Sequence, residues 1–186
     1  MASNATIFKA TLQIADMDRH YYADHAVTLA RHPSETDERL MVRLLAFVRH
    51  AHEALSFGRG LSAEDEPDLW HRDLTGNVVL WVEVGQPDEK ILRRACGRAA
   101  QVCVYTYSGR GADLWWEQNR AALERLDNLT VLNLPYETSR ALTALTQRSM
   151  QLQCTIQEGQ VWLADGQRAV QIDLTTRQDV RVPFSR

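Results

Sequence analysis

A chain of 186 residues with 45% hydrophobic content and a formal net charge of −3 is long enough to bury a core without staples, and too acidic overall to coat nucleic acid non-specifically. No window approaches the ~18 consecutive apolar residues that cross a bilayer, and MASNATIFKA lacks both the apolar core of a signal peptide and the arginines of a presequence. The expectation is a soluble, cytoplasmic protein folded as a single domain over residues 1–186.

In chain order, ATIFKATLQIADMD alternates apolar and polar residues, and HAVTLARHP follows after a polar break at Asp16 to His20. This spacing predicts a β-hairpin. Pro33 and Ser34 then open a helix, with Ser34 as N-cap, Asp37 in the capping-box position, and Glu35 and Glu38 at the positive end of the dipole. Met41, Leu44, Val48 and Leu55 fall on one face, which extends this amphipathic helix to about Phe57 and Gly58. An acidic, turn-rich segment, RGLSAEDEPDLW, leads through Thr75 to Asn77 into the strand NVVLWVEV.

Pro87 starts the next helix, PDEKILRRACGRAA, with acids at its first turn and arginines toward its end. QVCVYTY reads as a strand, ADLWWEQNRAALERL as a helix, NLTVLNLP as a strand and YETSRALTALTQR as a helix. MQLQCTI, VWLAD and AVQIDL read as three closing strands joined by tight turns. The class is therefore α/β (α+β): a mixed sheet flanked by helices, with an antiparallel extension contributed by strands from both chain ends. Cys96, Cys103 and Cys154 are odd in number, never form CxxC and lie in apolar stretches, so they are expected as small buried hydrophobes.

Glu83 is the conspicuous residue. In an extended strand it shares a face with Val79 and Trp81, where an ionised carboxylate is costly unless paired, protonated, hydrogen-bonded or bound to a cation. A salt bridge to Arg39 or Arg43 of the long helix is one solution. Convergence with other carboxylates is another: Asp68 precedes the hairpin partner of this strand, and Glu38 sits at the border of the buried helix face. Carboxylates with waters are the ligands that a hard cation such as Mg²⁺ or Mn²⁺ prefers.

The segments TLARHPSETDERLMVRLLAF, RGLSAEDEPDLW, LWVEVGQPDEK, WWEQN and LQCTIQEGQVWLAD resemble the signature segments of the YaeQ family, and the similarity runs over nearly the whole chain. The resemblance implies a variant of the PD-(D/E)XK restriction-endonuclease-like fold, an αβββαβ core with its active carboxylates at the hairpin and the following strand. Pro67 and Asp68 match the PD element, Glu83 the acid of (D/E)XK, and Glu38 the acid of the preceding core helix. Gly85 stands where that pattern places its lysine, which leaves Lys90, one turn into the next helix, or Gln86 as the expected substitute donor. Asp68, Glu83 and Glu38 are the expected metal ligands.

Lys90, Arg93, Arg94 and Arg98 form a basic helical surface able to meet nucleic-acid phosphates, extended by Arg39, Arg43, Arg59 and Arg110; an ordinary solvated face is the alternative. Of the adjacent Trp115 and Trp116, one is expected in the core and one at its margin. The six histidines lack ligand spacing, and no P-loop, GxSxG elbow or dinucleotide fingerprint is present. Two function classes follow: an Mg²⁺-dependent phosphodiesterase acting on nucleic acid, or a non-catalytic nuclease-like fold that serves as a binding or regulatory module. A purely structural ion-pair network around Glu83 is a third reading.

Overall fold

The computed structural model describes residues 4–61 and 65–181; residues 62–64 of the acidic segment lie outside them. The hairpin is present as β1 (Thr6–Asp16) and β2 (Tyr21–Arg31), antiparallel along their full lengths. Every second residue of β1 from Phe8 to Asp16 is buried, the period-2 pattern of a strand with one face on a core.

Helix α1 (Asp37–Arg49) departs from the sequence expectation at both ends. Its N-cap is Thr36, not Ser34: the Thr36 hydroxyl accepts from the Arg39 N–H at 3.2 Å, while the Ser34 hydroxyl is engaged with His32 Nδ1 at 2.6 Å. The helix stops at Arg49, because His52 Nδ1 accepts the Ala54 N–H and the His52 carbonyl accepts the Leu55 N–H, both at 3.0 Å. A side chain that captures nearby backbone donors competes with helix continuation. Leu55 therefore belongs to a short strand, β3 (Leu55–Phe57), and its helical phase with Met41 was coincidental.

The remaining elements are β4 (Leu69–Arg72), β5 (Val78–Val84), α2 (Glu89–Arg98), β6 (Ala99–Thr106), α3 (Arg110–Leu123), β7 (Leu129–Asn133), α4 (Tyr136–Thr143), β8 (Ser149–Gln157), β9 (Gln160–Ala164), β10 (Ala169–Ile172) and β11 (Thr175–Gln178). They form two mixed sheets, of order β10-β9-β8-β1-β2 and β11-β7-β6-β5-β4-β3. Strands from the two chain ends, β1–β2 and β8–β10, thus build a sheet of their own while β11 joins the other, and their junction, β1 with β8, is parallel. This corrects the expected antiparallel extension of one sheet.

Helix α1 lies between the sheets, and Leu40 to Val48 are all buried. Its side chains join one core cluster with Leu12, Leu29 and Leu152 of the first sheet and Leu69, Val82 and Tyr105 of the second. On the far face of the six-stranded sheet, Trp81, Val102, Val104 and Val131 pack on Leu92 and Ala95 of α2 and Trp115 and Leu123 of α3. Alternation along β5 and β6 divides their side chains between these two cores. Trp115 is buried with its indole N–H on the Pro87 carbonyl at 2.9 Å, and Trp116 packs at the margin of the same cluster. Cys103 and Cys154 are buried, and Cys96 is half-buried. No helix among the described residues is long and apolar enough to cross a membrane.

Candidate acidic site at the carboxyl end of β5

Strand β4 pairs with β5 in the register Leu69↔Val82 and Trp70↔Trp81, so the next step sets Asp68 opposite Glu83 at the carboxyl end of β5. The Asp68 N–H extends the ladder to the Val82 carbonyl at 3.0 Å. A glycine makes this approach possible. A Cβ on Gly58 would lie 1.9 Å from the Pro67 carbonyl oxygen, while the Gly58 N–H reaches the Asp68 carbonyl at 3.0 Å; only glycine lets the two segments close on each other here.

Asp68 is 6% exposed and both of its oxygens are engaged. Oδ2 accepts from the Val84 N–H at 2.7 Å. Oδ1 accepts from Arg39 at 2.6 Å, and the same guanidinium nitrogen also reaches the Val84 carbonyl at 3.3 Å. The other terminal nitrogen of Arg39 donates to Glu35 Oε1 at 3.0 Å. Glu35 is held in turn by Arg43, through Nε at 2.8 Å and the second terminal nitrogen at 2.9 Å. With Arg43 only 2% exposed, this chain of charges is self-compensating inside the protein.

Glu83 stands apart from that network. Its Oε1 accepts from the Trp81 indole N–H at 2.8 Å, the same-face neighbour that strand periodicity required. The expected salt bridge to Arg39 or Arg43 is absent, since both arginines are committed to Glu35 and Asp68. Burial, reinforced by the nearby Asp68 charge and only partly offset by the Trp81 bond and Arg39, pushes the Glu83 acid up to about 7. Such a group shifts between neutral and ionised near physiological pH.

The other expected participants are dispersed. Glu38 accepts a hydrogen bond from the Ser139 hydroxyl of α4, which ties it to the α1–α4 seam. Among the described residues, no three His, Cys, Asp or Glu side chains form a group that could hold a metal ion. Gln86 and Lys90 line a neighbouring open groove with Pro87, Trp115 and Asn119; Lys90 is exposed, and Asp68 and Glu83 do not line that groove. Gly85 has φ +111° and donates its N–H to the Tyr105 carbonyl at 2.8 Å. Its backbone conformation, not a lack of space, selects glycine where a lysine was expected.

On α2, Asp88 caps the helix through the Lys90 N–H at 2.8 Å. Arg93 pairs with Glu89, Arg94 lies 3.7 Å from Asp65, and Arg98 sits over the Trp81 ring at 5.7 Å. Arg59 pairs with Glu66. The basic surface is therefore real but partly neutralised, and Arg39 and Arg43 are internal, not part of it. Sequence reasoning missed Glu35 as the hub of the network, although Glu35, Arg39 and Arg43 recur at intervals of four. It also missed Tyr107, whose phenol is pushed up to about 12 by burial, with Arg39 opposing and Glu38, Glu35 and Asp68 adding to the effect.

The profile of the family described as YaeQ protein matches residues 1–174. The chain is 46% identical over 178 residues to the YaeQ protein of Escherichia coli (strain K12), an alignment covering 96% of this chain and 98% of that one. It superposes on the crystal structure of the YaeQ protein from Xanthomonas axonopodis pv. citri with a TM-score of 0.90 at 50% identity, over 94% of this chain and 98% of that one. The Pseudomonas syringae YaeQ structure gives a TM-score of 0.90 at 34% identity, over 96% and 98% of the two chains. With sequence and architecture shared over almost its entire length, the chain belongs to the YaeQ family.

Proposed function

We propose that the chain is a divalent-cation-dependent hydrolase of nucleic-acid phosphodiesters, built on a variant of the PD-(D/E)XK nuclease-like fold. The observation that carries this reading is the register that sets Asp68 opposite Glu83 at the carboxyl end of β5, with a cationic nitrogen of Arg39 lying on Asp68 and the Val84 carbonyl. Two carboxylates and a carbonyl suit Mg²⁺ or Mn²⁺ in kind, and in number for an ion that keeps several waters. Asp68 and Glu83 would hold it, with Glu38 too far committed to Ser139 to join without rearrangement. A divalent ion bound there supplies polarisation of a phosphoryl oxygen and a more acidic water.

The chain's own groups supply the rest. Asp68 is oriented by the Val84 N–H, and Arg39 must move off its Oδ1 for an ion to bind there. Glu83 is pushed up to about 7 by burial, and a bound cation would favour its ionised form, so ion binding there releases a proton near neutral pH. Arg39 brings the positive charge that Gly85 cannot, and does so from α1; Lys90 and Gln86, in the adjoining groove, are left to meet the substrate backbone together with Arg93, Arg94 and Arg98.

A second reading, a nuclease-like fold retained as a binding or regulatory module, is favoured by one observation: both oxygens of Asp68 are already satisfied by the protein. The deciding experiment is a cleavage assay with Mg²⁺ or Mn²⁺ on single-stranded and duplex DNA and RNA, using wild type and Glu83→Gln, alongside Mn²⁺-dependent thermal shifts of both proteins. Cleavage and a metal-induced Tm rise in wild type, both lost in the variant, support hydrolysis. Absence of cleavage and of any Tm rise supports the binding module.

A further inference from the structure

A second polar pocket lies away from the acidic site, on the α1 face of the six-stranded sheet, where α1 ends. It encloses about 200 Å³ and is lined by Arg49, Leu80, Cys103, Thr130, Thr176 and Asp179 among others. Arg49, the last residue of α1, is half-buried. One of its terminal nitrogens donates to the Tyr105 hydroxyl at 2.9 Å, and its remaining donors have no hydrogen-bond partner among the described residues. No carboxylate among those residues forms an ion pair with it.

The Tyr105 hydroxyl also lies 2.8 Å from His50 Nε2. His50 is neutral because burial, with Arg49 and Arg19 nearby, pushes the imidazole down to about 3. The guanidinium is hydrogen-bonded only to a neutral group, and the Asp16 carboxylate, which attracts it, is paired with Arg19. Asp179, in the same pocket, accepts from the Thr130 hydroxyl at 3.3 Å and the Val180 N–H at 2.8 Å through Oδ1, and Oδ2 has no hydrogen-bond partner among the described residues. Arg49 and Asp179 both act on the Cys103 thiol, so the two unlike charges share one small space without pairing.

We propose that this pocket binds a small zwitterion of the amino-acid type, its carboxylate on Arg49 and its ammonium on Asp179. A half-buried cation with no carboxylate in direct contact is under-compensated, and a ligand carboxylate supplies that contact through the unused side of the guanidinium fork. A simple anion leaves Asp179 opposed to the ligand, and a simple amine leaves Arg49 uncompensated; a molecule carrying both charges satisfies both walls. The Thr176 hydroxyl adds a donor, and Leu80 accommodates a short apolar side chain. A volume of about 200 Å³ suits a small ligand.

The test is a titration of the ¹⁵N-labelled full chain with L-alanine, acetate and ethylamine, followed by NMR. Saturable shifts centred on the amides of Cys103, Thr130 and Thr176, with L-alanine binding at least about tenfold more tightly than either single-charge probe, are expected. Arg49→Gln should remove the response, and Asp179→Asn, at an exposed position tolerant of change, should reduce the preference for L-alanine over acetate. Equal affinity for acetate and L-alanine, unchanged preference in Asp179→Asn, or shifts that map elsewhere or never saturate would overturn the proposal.

Discussion

One nitrogen of Arg39 lies 2.6 Å from Asp68 Oδ1 and 3.3 Å from the Val84 carbonyl; a side chain of α1 thus occupies the free side of Asp68 at the carboxyl end of β5. A guanidinium and a metal ion cannot share it. Replacing Arg39 by Met, which keeps the stem and removes the charge, should destabilise the protein by about 3 kcal/mol because the buried Asp68 loses its partner. It should also raise the sensitivity of Tm to Mn²⁺ above that of wild type. A metal-induced shift in Arg39→Met smaller than in wild type would show that Arg39 assists cation binding and does not compete with it.

Glu83 sets a pH dependence of defined sign. Its folded pKa, about 7, lies above its ordinary value of 4.5, so between these pH values the folded chain holds a proton that the unfolded chain releases, and stability falls as pH rises. Glu83→Gln, which retains an acceptor for the Trp81 indole, should match wild type below pH 4.5 and exceed it above pH 7 by on the order of 2 kcal/mol. Urea denaturation at pH 4.5 and pH 8 measures the difference, and an equal gap at both values would contradict it.

His50 acts in the opposite direction. Its folded pKa of about 3 lies below the ordinary 6.5, so the unfolded state binds the extra proton in that window and stability declines as pH falls from 6.5 toward 3. The slope from this residue approaches about 1.4 kcal/mol per pH unit. His50→Gln, still able to accept from Tyr105, should flatten the acid limb of the stability profile; an unchanged limb would place the acid sensitivity in other groups.

Gly85 and Gly58 are required for different reasons, and substitutions separate them. At Gly85, with φ +111° and no atom within 4 Å of a built Cβ, Ala and Lys should cost the same, about 1–2 kcal/mol, because strain in the backbone is the only penalty. At Gly58 a Cβ would meet the Pro67 carbonyl at 1.9 Å, so Ala should cost more and displace Asp68. Equal costs for Gly58→Ala and Gly85→Ala would deny that contact.

The pairing of Asp68 with Glu83 was legible in the sequence because strand alternation and a hairpin register fix both residues. The partners of Arg39 and Arg43 were not. Each looked equally suited to Glu83, to phosphate or to solvent, and the choice is made by Glu35, which stands just before the helix and reads there as a first-turn acid. The end of α1 was obscured by HisAlaHisGluAla, residues compatible with helix until the His52 side chain takes the Ala54 N–H. Strand β11 carries TTRQ, a run without apolar alternation; its burial rests on Gln178, whose amide donates to the Leu123 and Leu126 carbonyls at 2.9 and 3.1 Å.

The parallel pairing of Leu12 with Leu152 has a consequence for biosynthesis. About 140 residues separate the two strands, on the order of ten seconds of translation at typical rates. For that interval the hydrogen-bonding edge of β1, and the part of the α1 core that Leu152 and its neighbours complete, wait for a strand not yet made. A nascent chain of this kind completes its core only after nearly all of it has left the ribosome, and loop closure of that length is slow. Chaperone occupancy should therefore peak before β8 emerges, and premature termination anywhere upstream of Ser149 yields a product with a permanently sticky sheet, a substrate for proteolysis and not a smaller functional protein.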